Sequence, residues 1–98
     1  MTIANTANFE QIITEAQVLV DFYADWCGPC KAIAPVLETF ADDHAHINVV
    51  KVDVDQHPEL AQKFGVRGIP TLVALADGEE IDRSIGLTNA ADLEALFA

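Results

Sequence analysis

Val18-Leu-Val-Asp-Phe-Tyr-Ala-Asp-Trp-Cys-Gly-Pro-Cys-Lys31 changes character halfway along its length. Val18 to Tyr23 is a nearly continuous run of β-branched, aliphatic and aromatic residues, the pattern of a strand buried on both faces. From Pro29 to about His44, Ile33, Val36, Leu37, Phe40 and Ala41 recur with a 3.6-residue period, which predicts a long helix. Pro29 suits the first turn of that helix, whereas Pro35 falls inside it and predicts a kink. A buried strand feeding directly into a helix is half of a βαβ unit. Cys27 and Cys30 lie at the junction.

Working outward, the remaining elements punctuate cleanly. Phe9, Ile12 and Ile13 sit at i, i+3 and i+4, a short amphipathic helix capped by Asn5 or Thr6. Ile47 to Val54 is a second apolar, strand-like run, and Pro58 to Phe64 reads as a short helix stopped by Gly65. Gly68-Ile-Pro70 breaks the chain before a third strand, Thr71 to Ala76. Asp77-Gly78 then signals a hairpin into a strand from Ile81 to Ile85. Gly86 interrupts that strand, and Asn89 can cap a closing helix carrying Leu93, Leu96 and Phe97. Thr2-Ile3 can add a short edge strand. The order α, β, α, β, α, β, β, α, with no repeat, linker or low-complexity segment, predicts one α/β domain over residues 1–98. It has three layers and a mixed sheet.

Composition narrows the function. The chain has 98 residues, 51% hydrophobic, with nine Gly and Pro together, which is globular rather than disordered. Five Lys and Arg against 16 Asp and Glu give a net charge of -11. Nucleic acid and anionic membrane surfaces both call for clustered Lys and Arg, so neither is an expected partner. No apolar run approaches the roughly 20 residues of a membrane span, and the N-terminus lacks the basic-then-apolar pattern of a signal peptide. A soluble, cytoplasmic monomer is expected.

Cys27 and Cys30 are the only cysteines. As a structural staple the pair would contribute roughly 2 kcal/mol, because a four-residue loop constrains little of the unfolded chain. As a zinc site it supplies two of four ligands. No second CxxC and no finger-spaced histidine pair follows, and His44, His46 and His57 read as surface or cap residues. No metal is expected. A redox dithiol fits the address best. At a helix N-terminus the unpaired N–H groups and the dipole favour a Cys27 thiolate, while Cys30 lies one turn further in on the same side. This predicts an exposed nucleophile, Cys27, and a shielded resolving thiol, Cys30.

Asp21 is the one charge in its strand. Alternation places Val18, Val20 and Phe22 on one face and Leu19, Asp21 and Tyr23 on the other. With helices over both faces Asp21 is buried, its pKa rises, and it can shuttle a proton. Lys51 alone reads as a solvated strand residue. Asp77, Glu79, Glu80 and Asp82 read as a solvated hairpin face.

Ala24-Asp-Trp-Cys-Gly-Pro-Cys-Lys31 resembles the active-site segment of the thioredoxin family. Asp21-Phe22 before it, Pro35 after it, Val66-Arg-Gly-Ile-Pro-Thr71, Asp77-Gly78 and Gly86 fall in that family's order and spacing, so the resemblance spans essentially the whole chain. It implies the thioredoxin fold, a mixed four- to five-stranded central sheet with helices on both faces. The implied activity is reduction of protein disulfides by dithiol–disulfide exchange through Cys27 and Cys30. Gly28 and Pro29 would set the active-site turn, with Pro29 associated with reducing members, and Trp26 would be the aromatic wall beside the pair. Pro70 would be a cis-proline, and Trp26, Gly68, Ile69, Pro70 and Gly86 would form a flat docking surface for the substrate. Asp21 would be the buried carboxylate behind Cys30, with Lys51 as its cationic neighbour. No cofactor is implied beyond the redox disulfide itself. A separate reductase must supply electrons, since nothing resembles a nucleotide-binding loop. An oxidase or isomerase variant and a non-catalytic binding module of the same fold are the rival functions. Tyr23 stands where a second Trp is common in the family, the first strand is abbreviated, and the last helix is short.

Overall fold

A computed structural model describes residues 2–98. In chain order the elements are β1 (Thr2–Ile3), α1 (Thr6–Ile12), β2 (Gln17–Tyr23), α2 (Gly28–Asp43) and β3 (Asn48–Asp53). They continue with α3 (Pro58–Lys63), β4 (Thr71–Ala76), β5 (Glu79–Ile85) and α4 (Ala90–Ala95). One five-stranded sheet has the order β1-β3-β2-β4-β5. The β1/β3 and β3/β2 pairs are parallel, and the β2/β4 and β4/β5 pairs are antiparallel. The sheet is therefore mixed, as its sequence order predicts.

Period-2 alternation along β2 divides the core. Val18, Val20 and Phe22 join Phe9, Val50, Val52, Leu60, Val73 and Leu75 beneath α1 and α3. Leu19 faces the opposite layer with Ile33, Leu37, Phe40, Val49, Leu72 and Leu93, beneath α2 and α4. Asp21 shares that second face, so it is buried in the sheet's central strand. Both faces of β2 are covered, which is why its sequence reads as an unbroken apolar run.

Several boundaries differ from the expected ones. Of the two candidate caps of α1, Asn5 is the residue used: its side chain accepts from the Asn8 N–H while the Asn8 side chain accepts from the Asn5 N–H. As expected, helix α2 contains Pro35, and it runs from Gly28 to Asp43 around a ring that removes one N–H donor from the ladder. β5 starts at Glu79, two residues before the expected Ile81. Asp77 (φ 51°) and Gly78 (φ 86°) make so tight a turn that pairing resumes at once. A bulge opposite Ala74 and Leu75 leaves Ile81 as the extra residue. β3 is one residue shorter at each end than the expected Ile47–Val54. Asn89 caps α4 through the Asp92 N–H, but the helix ends at Ala95, leaving Leu96 as C-cap and Phe97 stacked 6.4 Å from Phe40. Glu80 is not merely solvated. It grips the Arg83 guanidinium, which also donates to the Phe64 carbonyl at the end of α3.

Candidate active site

Cys27 is the N-cap of α2 and Cys30 lies in its first turn, with Pro29 between them. The two are joined in a disulfide across a Cα–Cα distance of 5.2 Å, and no cysteine is free. The Cys27 Sγ accepts a hydrogen bond from the Cys30 backbone N–H at 3.1 Å. That contact occupies the position where a capping oxygen normally sits. A negative charge on Cys27 after reduction would therefore meet an aimed N–H and the positive end of the helix dipole.

The expectation of an exposed Cys27 and a shielded Cys30 needs correction for this oxidised state. Their exposures are 4% and 6%, because both pack with Ala24 against Tyr23, Val54 and Ile69. What distinguishes them is the helix cap: only the Cys27 sulfur receives the backbone N–H.

Asp21 is 2% exposed, and its Oδ1 has no hydrogen-bond partner. Burial raises its pKa from 3.8 to about 6, and the nearby positive charge of Lys51 offsets part of that rise. Asp21 and Cys30 line one cleft of about 100 Å³, together with Tyr23, Ala24, Asp25, Lys31, Ala34 and Lys51. Asp21 and Lys51 are register partners across β2 and β3. The Lys51 Nζ lies over the Tyr23 ring, 4.4 Å from its centroid. The buried carboxylate, its cation and the inner cysteine thus share one small cleft.

On the other side of the disulfide, Trp26 is 70% exposed and its indole N–H donates to Asp55 at 2.7 Å. The Ile69–Pro70 peptide bond is cis. The Gly86 N–H donates to the Pro70 carbonyl at 2.9 Å, and Gly86 adopts φ +91°, a conformation glycine tolerates and other residues resist. A side chain at Gly68 would meet Ile85 Cγ2 at 3.8 Å. The structure thus ties Gly68, Pro70 and Gly86 to one patch through the Gly86–Pro70 and Gly68–Ile85 contacts. Trp26 and Ile69 line an adjoining hollow of about 170 Å³ with Val54, Ala61, Val66 and Arg67.

Sequence reasoning passed over three residues around the site, and the Lys51 contact of a fourth, Tyr23. Asp55 orients Trp26, Tyr23 carries Lys51, and Ile85 and Leu87 expose apolar side chains beside Gly68 and Gly86. Leu87 was the one that could have been noticed, as an apolar residue outside every predicted element. The histidines take the modest roles expected of them: His44 is the C-cap of α2, His57 the N-cap of α3, and His46 is exposed. Among the described residues no cluster of three or more His, Cys, Asp or Glu side chains is arranged to hold a metal ion.

Comparison with known proteins agrees with this geometry. The sequence matches the family model described as Thioredoxin over residues 1–98. It is 44% identical over 96 residues to the thioredoxin of Chlamydia muridarum, covering 98% of this chain and 94% of that one. Against the thioredoxin of Staphylococcus saprophyticus it is 51% identical over 81 residues, covering 82% and 78%. Among solved structures it superposes on Plasmodium falciparum thioredoxin with a TM-score of 0.91 at 33% identity, covering 99% and 97%. Fasciola hepatica thioredoxin gives 0.89 at 38% identity, again covering 99% and 97%. A cysteine pair at disulfide distance on a helix cap, in a fold shared along nearly its whole length, places this chain in the thioredoxin family.

Proposed function

We propose that Cys27 attacks and Cys30 resolves, in a protein-disulfide reductase whose inner thiol gives its proton to Asp21. The chain is a thiol-disulfide oxidoreductase of the thioredoxin family. The division of labour within it rests on one observation: the Cys27 sulfur, not the Cys30 sulfur, accepts the backbone N–H at the start of α2. In the reduced protein the Cys27 thiolate attacks one sulfur of a target disulfide, forming a mixed disulfide and expelling the target's other sulfur as a thiolate. Cys30 then loses its proton to the Asp21 carboxylate and attacks Cys27. The target's second thiolate leaves, and the Cys27–Cys30 disulfide forms. Two electrons pass from the dithiol to the target, with no carrier other than the cysteine pair.

Protein disulfides are the substrates, and a separate reductase restores the dithiol. Trp26, Gly68, Ile69, Pro70 and Gly86 supply the surface on which the target segment lies, with Gly28 and Pro29 shaping the turn between the cysteines. Residues 1–98 act as a single thioredoxin unit, as a monomer in the cytoplasm. No helix among the described residues is long and apolar enough to cross a membrane. The test is reduction of a protein disulfide by catalytic amounts of this chain, with a small dithiol supplying electrons. Turnover lost in Cys27→Ser supports the reading. Turnover equal to the small dithiol alone would overturn it.

A further inference from the structure

We propose that Tyr23 is a positioning residue: its ring face holds the Lys51 ammonium in the cleft shared by Asp21 and Cys30, and so sets the pH at which Asp21 can take the Cys30 proton. This rests on the reading of Asp21 as proton acceptor given above.

Among the described residues Lys51 lacks a carboxylate partner: it makes no ion pair within 4.0 Å, although the chain is strongly acidic. Its side chain borders two spaces. One is the cleft of about 100 Å³ lined by Asp21 and Cys30. The other is an open hollow lined by Ile3 and by Glu38 and Asp42 of α2. A flexible four-carbon stem with a strongly hydrated head can serve either, and the second offers two exposed carboxylates. The contact that decides between them is the Tyr23 ring, 4.4 Å below the ammonium. β2 places that ring two residues beyond Asp21 on the same face, and Lys51 stands in register with Asp21 on β3. The ring thus keeps the cation on the Asp21 side.

The other charged groups around the cleft do not replace it. Asp25 lines the cleft on the loop after β2 and carries the wrong sign. Lys31 of α2 also lines it but is exposed. Asp53, the register partner of Tyr23 on β3, spends its Oδ1 on the Asp55 and Gln56 N–H groups. Burial first, and then the carboxylates of Asp53, Asp25 and Asp21, raise the phenol's own pKa, so the Tyr23 ring stays neutral and its face available to a cation.

The test follows the Asp21 carboxyl by ¹³C NMR titration in the oxidised full-length protein, where no turnover is involved. Tyr23→Leu should raise the Asp21 midpoint by roughly half a pH unit, the size of a partly exposed cation–π contact. Tyr23→Phe should leave it in place, because the face and not the hydroxyl is used. Lys51→Met should raise it on its own, and adding Tyr23→Leu to Lys51→Met should shift it no further. An unchanged midpoint in Tyr23→Leu would overturn the proposal. So would an equal shift in Tyr23→Phe, or a full additional shift in the double variant. Failure of the reductase reading would show instead as absent turnover in the wild-type chain, which this titration does not measure.

Discussion

Asp21 and Lys51 face each other across neighbouring parallel strands, yet no hydrogen bond joins them and the Asp21 Oδ1 has no partner at all. Position in the sheet is spent here on a pKa rather than on a salt bridge. A buried carboxylate with a pKa near 6 can accept a proton and release it again close to neutrality.

That arrangement costs stability, and Asp21→Asn should recover it. The folded pKa of about 6 lies above the unfolded value near 3.8, so ionisation disfavours the folded state. Nothing is lost below about pH 4. The penalty grows as pH rises toward 6 and then levels off. At about 1.4 kcal/mol per unit it reaches on the order of 3 kcal/mol, an upper bound because an asparagine amide would still place one polar atom at the buried, unpartnered Oδ1 position. Denaturant melts should show Asp21→Asn more stable than wild type at pH 7 and nearly equal to it at pH 3. In single-turnover reduction the same variant should slow release of the mixed disulfide, most visibly below neutral pH.

How much of this was legible beforehand depends on the range of the interaction. The Cys27 cap, the buried run of β2, the Asp77-Gly78 turn and the Asn89 cap are encoded within a few residues, and each falls where the sequence places it. The burial of Asp21 was legible too, since alternation within a doubly covered strand leaves it no exit. The Tyr23–Lys51 contact was not, because it requires knowing that β3 lies beside β2 and in which register. The Trp26–Asp55 bond likewise joins residues 29 apart that only the folded loops bring together. The equal burial of the two cysteines escaped because helical position fixes the direction of a side chain, whereas Ile69, Val54 and Tyr23 arrive from other elements to cover it.

Gly86→Ala should destabilise the fold through its backbone alone. At φ +91° an alanine is strained, and a Cβ there would meet no atom within 4 Å, so crowding adds nothing. A cost of about 1–2 kcal/mol is expected, lowering the melting temperature by roughly 4–16 °C in a domain of this size. Calorimetry measures it. An unchanged melting temperature would mean that the chain relaxes out of the left-handed region and that the bond from Gly86 to the Pro70 carbonyl is dispensable.

Association with the donor reductase should be sensitive to salt. The net charge is -11, and of the five cations Lys63 is paired with Glu10, Arg83 with Glu80, and Lys51 lies over Tyr23. The field at the surface is therefore strongly negative, and a partner presenting a cationic face would be steered toward it. Stopped-flow on-rates should fall as ionic strength rises from low values to about 0.15 M, where the screening length shortens to about 8 Å. A flat dependence would assign the acidic excess to solubility.

The two cysteines should trap partners unequally. Of the two sulfurs, among the described residues, that of Cys27 receives a backbone N–H at the helix cap, and on the proposed mechanism it is the one that attacks. With Cys30 replaced by Ser, the mixed disulfide formed by Cys27 has no neighbour to break it and should accumulate. With Cys27 replaced by Ser, the remaining thiol lies in the first turn of α2 without the capping N–H. It should attack slowly and trap little. Equal burial in the oxidised state makes this a test of electrostatics rather than of access, since exposure alone would rank the two nearly the same. Intact-mass spectrometry after exposure of each variant to a disulfide-bonded protein separates the outcomes. Abundant adduct on Cys30→Ser with little on Cys27→Ser supports the helix cap as the source of nucleophilicity, and comparable adduct on both would remove it.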